Sequence, residues 1–129
     1  MTEIKTHKKI SRELCGVPLE TEVDFSRVEL TATSDMIVDE RGLIHGGFIF
    51  GLADHAAMIA VNDPTVVLAS ANIKFMKPVR VGDRLEAQAV VQNFGKRKQT
   101  VCVTVKRGEI EVCTGEFICA ILDQHVLDI

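Results

Sequence analysis

The spacing of apolar residues changes period along the chain. Residues 3–15 are mostly polar, with Ile4, Ile10 and Leu14 scattered among them, and they predict a short amphipathic helix ending at Gly16. From Val17 the period becomes two. Val17, Leu19, Thr21 and Val23 alternate with polar neighbours, as do Val28, Leu30 and Ala32, so two strands with a turn near residues 24–27 are expected. The alternation then gives way to a helical pattern. Phe48, Ile49, Leu52, Ala53, Ala56, Ile59 and Ala60 recur at spacings of three and four, which makes a broad apolar helical face. That helix should start just after His45. It should stop before Asp63-Pro64, because proline disfavours helix at the residue before it. Beyond Pro64, strands are expected over 66–76, 85–94, 100–106 and 110–122, with turn signals at Val81-Gly82-Asp83, at 95–98 and at Gly108. The turn spacing predicts an antiparallel meander.

One long helix with five or six strands gives an α+β class. A helix apolar over so much of its surface must be covered nearly all round, and a curved antiparallel sheet wrapped around it does this economically. One helix face and one sheet edge then stay open, and a second copy of the chain would cover both. A length of 129 residues suits a single domain, 1–129, with 1–16 as an N-terminal helical segment and 17–122 as the core.

Composition narrows the function classes. The chain has 15 basic and 18 acidic residues and a net charge of −3, which argues against nucleic acid as a partner. No apolar run reaches the ~18 residues of a membrane span. MTEIKTHKK at the N-terminus has no apolar segment of the secretory type. The four cysteines form no CxxC pair; they read as small buried thiols of a reducing, cytoplasmic setting, with no metal-ligand spacing. His7, His55 and His125 also lack ligand spacing and read as surface or structural.

Two features carry chemistry. Gly46 and Gly47 open the helix, where the first N–H groups lack internal partners and the dipole is positive, so a polarised carbonyl oxygen is favoured there. Equally, the glycines would serve close packing alone. Asp54 lies in the middle of the apolar run. A buried carboxylate suffers desolvation and should have a raised pKa, which is common at functional sites; the alternative is an exposed helix stripe shared with His55. Asp54 follows His45 by nine residues, which is about 13 Å of rise and half a turn out of phase on a helix. Within one chain the two features cannot meet at one carbonyl group. Antiparallel helices of a dimer would bring Gly46 of one to Asp54 of the other.

His45-Gly46-Gly47, followed after four residues by Leu52-Ala53-Asp54, resembles the signature of hotdog-fold acyl-CoA thioesterases of the PaaI-like, phenylacetyl-CoA thioesterase group. Ala71-Asn72-Ile73-Lys74-Phe75-Met76-Lys77-Pro78 and Val81-Gly82-Asp83 resemble the family's next strand and turn. The resemblance covers residues 17–122. It implies a hotdog fold, a long central helix in a curved antiparallel sheet of five to six strands, with homodimers joined edge to edge and in some cases a dimer of dimers. It implies hydrolysis of a small or medium acyl-CoA, with coenzyme A part of the substrate and no separate cofactor or metal. Asp54 would be the general base or the nucleophile. Gly46 N–H would polarise the thioester carbonyl, with His45 orienting that turn and Gly47 and Asn72 contacting substrate. The family often has asparagine six residues before the HGG histidine, and this chain has Asp39. A carboxylate there cannot donate a hydrogen bond unless protonated, which points to a second function: a non-catalytic acyl-CoA-binding or regulatory protein.

The coenzyme's phosphates call for a basic rim. Lys96, Arg97 and Lys98 form the densest cluster, with Lys74, Lys77 and Arg80 at another strand end. Phe48, Phe50, Leu52, Met58 and the surroundings of Phe75 are the candidate acyl pocket.

Overall fold

A computed structural model describes all residues, 1–129. Its long helix, α2, runs Gly46–Val61 and carries nine buried residues. His45 caps its start. Asn62 ends it in the left-handed region (φ 55°), with its N–H on the Met58 carbonyl, a conformation asparagine tolerates better than most residues. Six strands surround the helix: β1 Val17–Glu22, β2 Phe25–Thr31, β3 Val66–Phe75, β4 Arg84–Phe94, β5 Lys98–Arg107 and β6 Ile110–Ile121. All their pairings are antiparallel, in the order β1-β2-β4-β5-β6-β3.

This order corrects the expected meander. Only β4-β5-β6 forms one; β3 crosses to the far edge and pairs with β6, and β2 pairs with β4. The reason is α2 itself. It stands between β2 and β3 in the chain and must be spanned by the sheet, so the strands on either side of it cannot be neighbours. The two strands expected before α2 are present, but a bulge at Leu19 shifts the β1 register, and Val17 and Leu19 end up exposed at the sheet edge.

A single core of 26 buried apolar residues joins the inner face of the sheet to α2. Leu52, Ala53, Ala56 and Ile59 on the helix meet Leu85, Ala87, Val101, Val103 and Phe117 on the strands. Ser26 donates from Oγ to the Ala56 carbonyl at 2.6 Å, a buried link between sheet and helix.

The N-terminal helix is shorter than expected. One turn, α1 (Arg12–Cys15), remains, capped by Ser11 and closed by Gly16 at φ 100°. A side chain at Gly16 would collide with Val28, the Glu29 carbonyl and Leu52. Residues 1–10 are instead a strap. Thr2 N–H donates to the Thr21 carbonyl, Thr21 Oγ1 donates to the Thr2 carbonyl, and Thr6 is buried. Lys5 N–H donates to Asn62 Oδ1 and Asn62 Nδ2 donates to the Glu3 carbonyl, both at 2.8 Å, which ties the strap to the end of α2. A mostly polar stretch gives no periodic signal for such contacts, because they depend on the end of a helix 57 residues away.

Candidate active site

The helix start is built by the sequence His45-Gly46-Gly47. His45 Nδ1 accepts the Gly47 N–H at 2.8 Å. A Cβ at Gly47 would lie 2.8 Å from that same nitrogen, so the cap itself requires glycine there. Gly46 differs. Its Cβ would meet only the Phe75 ring, at an ordinary 3.5 Å. No acceptor in the chain takes the Gly46 N–H. Packing therefore accounts for Gly47 and leaves Gly46 with an unused donor at the positive end of the helix.

Asp54 sits two turns further along α2. One carboxylate oxygen, Oδ1, is buried with no hydrogen-bond partner. Burial pushes its pKa up to about 6. Burial, and after it the charge of Asp54, raises the pKa of two nearby thiols, the half-buried Cys15 at the end of α1 and the buried Cys119 on β6. Neither neighbour appeared in the sequence reading, since the fold alone brings residues 15, 54 and 119 together. The four cysteines are free thiols. No group of three or more His, Cys, Asp or Glu is arranged to hold a metal ion.

His55 leaves the exposed stripe on which it would have accompanied Asp54. It is 2% exposed, and its Nδ1 lies 3.0 Å from the Cys15 carbonyl. Asp39 is on the exposed loop before α2. Its Oδ1 accepts the N–H groups of Arg41 at 3.0 Å and Leu43 at 3.2 Å, closing the turn that aims the chain at His45. It shares a recess of about 210 Å³ with Arg41, Leu43, Pro78 and Arg80. These arginines have no carboxylate partner in an ion pair.

Other candidates are spread out. Phe75, 51% exposed, lies against Gly46, so the end of β3 adjoins the start of α2. Phe48 is half-buried beside His45, with the two rings in an edge contact at 6.2 Å. Leu52 and Met58 are fully buried core residues, and Phe50 packs on Phe117. Asn72 lines a shallow groove on the outer side of the sheet with Lys74, Cys102, Thr114 and Glu116. Lys96, Arg97 and Lys98 turn the β4–β5 hairpin, where Gly95 is required because a side chain would collide with the Lys98 carbonyl. Arg97 donates to Asp123 at 3.5 Å. Lys98 pairs with Ala120, beside the first residue of β3, so this cluster lies at the end of the sheet away from Gly46. The structure brings His45, Gly46 and Gly47 together with Phe75. It leaves Asp54, Asn72 and the Lys96–Lys98 tip apart from them within one chain.

Comparison with known proteins bears on this arrangement. The family model described as thioesterase superfamily matches residues 41–114, which includes the helix start, Asp54 and β3 to the first part of β6. The chain is 45% identical over 120 residues to methylthioribose-1-phosphate isomerase of Aquifex aeolicus, covering 93% of this chain and 26% of that protein. It is 36% identical over 95 residues to the transcription factor FapR of Caldanaerobacter subterraneus, covering 74% of this chain and 48% of that one. It thus spans between a quarter and a half of these relatives. Among solved structures, an uncharacterized protein of Pyrococcus horikoshii superposes with a TM-score of 0.97 at 50% identity, covering 98% of each chain. A mutant of the phenylacetic acid degradation protein PaaI of Thermus thermophilus superposes at 0.79 with 29% identity, covering 86% of this chain and 97% of that one.

Proposed function

The chain belongs to the thioesterase superfamily, in its hotdog-fold, PaaI-like group, and from that premise we propose that it hydrolyses the thioester of a small or medium acyl-CoA at a site shared between the subunits of a homodimer. The observation that carries this reading is the pair of unused groups on α2: a free N–H at Gly46 and a buried, unpartnered oxygen on Asp54. One suits an oxyanion and the other suits a base or nucleophile. A carboxylate poised at about 6 is ionised at neutral pH yet still basic enough to take a proton.

In this reading the thioester carbonyl oxygen accepts from Gly46 N–H of one subunit. Asp54 of the other subunit takes a proton from water, which attacks the carbonyl carbon. The tetrahedral intermediate then expels the coenzyme A thiolate. His45 holds the helix start in place through its bond to Gly47. Support for the dimer comes from the exposed residues 69–72 along β3, an edge strand with no neighbour on its outer side. In this reading Lys96, Arg97, Lys98 and Asn72 contact coenzyme and substrate, Asp39 belongs with Asp54, Gly46 and His45 to the catalytic set, and Arg41 and Arg80 stand beside Asp39.

A second reading has its own support. The likeness to a transcription factor, together with Asp39 held in a turn as an acceptor, favours a non-catalytic acyl-CoA-binding protein with a regulatory role. A panel of acyl-CoA esters with a free-thiol readout separates the two. Turnover that is lost in Asp54→Asn supports the hydrolase; tight ester binding with no thiol release in wild type supports the binding protein. Sedimentation should give twice the 14.2 kDa chain mass, and a monomer with full activity would defeat the shared site.

A further inference from the structure

The proposed reaction leaves unused the cationic groups around the N-terminal strap. Between the strap, β1 and α2 lies a recess of about 280 Å³, lined by His7, Lys8, Arg12 and His55 with Ile4 and Pro18 among the apolar residues. Every ionisable side chain on its wall is basic. A second recess on the other side of the strap, about 410 Å³, repeats this with Lys5, His7, Lys8 and His125. Acidic residues outnumber basic ones in this chain, so such segregation is not the average surface. None of the chain's six ion pairs includes any of these groups.

The recess under the strap is also built. His55 is held on α2 with Nδ1 against the Cys15 carbonyl, which makes Nδ1 the donor and leaves Nε2 as the ring atom without a protein partner. His7 has a left-handed backbone (φ 55°), a conformation non-glycine residues seldom use unless the surroundings impose it. Here the Ile10 N–H on the His7 carbonyl and the contact of Thr6 Oγ1 with His7 Nδ1 at 2.8 Å hold it. Of the acids on the same elements, Glu20 is bound to Arg27, and Glu13 lines a neighbouring groove that Arg12 also borders, with Glu29 and Asp35, while no acid lines this recess. Burial and the positive charges of His7 and Arg12 hold the His55 pKa below its ordinary value, as expected where positive potential has no counterion.

We propose that this recess binds the phosphate group of a small ligand. Arg12 presents the fork geometry that suits a phosphate, Lys8 adds a point charge, and the two imidazoles become donors once a bound dianion favours their protonated forms. The apolar part of the wall would take the ligand's carbon skeleton. The inference does not depend on the hydrolase reading, because none of these residues takes part in it.

Titration of the whole protein with inorganic phosphate at neutral pH, followed by NMR of the four histidine imidazoles, tests it. The His7 and His55 signals should move together and saturate, while His45 stays in place. Arg12→Ala combined with Lys8→Ala removes two exposed side chains outside any ion pair, so the fold should survive, and a thermal melt checks that. The double variant should bind phosphate about tenfold more weakly or worse. Shifts that fail to saturate by about 50 mM, in the range of affinities too weak to matter, or an unchanged affinity in the double variant, would overturn the proposal. Coenzyme A and a simple phosphate monoester, each added to the phosphate-bound protein, identify the source. Competition by coenzyme A for the same signals assigns the phosphate to the coenzyme; competition by the monoester alone assigns it to a separate ligand.

Discussion

Asp54 in the middle of α2 and Asp39 in the loop before it are treated in opposite ways. Asp54 has a buried oxygen with no partner and a pKa pushed up to about 6. Asp39 is exposed, and its Oδ1 is occupied by two backbone N–H groups. A carboxylate that closes a turn stabilises the fold. One with a buried, unpaired oxygen on a helix opposes folding, which the proposed role as base would account for. The contrast teaches that the same group stabilises this molecule where backbone N–H groups meet it and costs stability where burial leaves it unpaired.

The largest expected effect is on turnover. Asp54→Asn should lower kcat with acyl-CoA by about 10²–10⁴-fold, measured by thiol release; activity within threefold of wild type would remove Asp54 from the mechanism. The next concerns stability against pH. The folded-state pKa of Asp54 is raised above its unfolded value, so the protonated acid favours the fold. That contribution is fully present below about pH 4 and is lost as pH rises through about 6. The loss is on the order of 2–3 kcal/mol. Denaturant melts at intervals from pH 4 to 7 should show this decline in wild type and a flatter profile in Asp54→Asn. The pH–rate profile should run the other way, rising with an inflection near 6 as the base ionises.

Smaller effects probe the loop side. His45→Ala removes the cap on Gly47 N–H and should cost about 1 kcal/mol, read as a lower melting temperature. Asp39→Asn keeps an Oδ1 for Arg41 and Leu43, so stability should stay within about 0.5 kcal/mol. The new amide also gains a donor, and kcat/KM should rise. A fall in kcat/KM would make Asp39 a reacting group and erase the contrast with Asp54.

Much of the fold was legible because its signals are local. The span of α2 follows from apolar spacing between His45 and Asp63-Pro64, and observed and expected limits agree. Strands β4, β5 and β6 follow from alternation and glycine turns. The register of β1 was not legible, since a bulge at Leu19 is set by pairing with β2. Of the site, Gly46 and Asp54 stood out as exceptions to their surroundings. Local sequence could not separate the tasks of the two glycines; that needed the position of the His45 ring and of Phe75.

By itself the sequence determined the apolar helix, the acid within it and the strands around it, because period and turn chemistry act over a few residues. Tertiary structure alone decided the rest. It sent β3 to the far edge of the sheet and left Asp54 Oδ1 dry near Cys15 and Cys119. It also bound the strap to Asn62 and gathered His7, Lys8, Arg12 and His55 into one recess. These arrangements join residues from distant parts of the chain. Their energies come from desolvation and charge at close range, which exist only once the chain has packed.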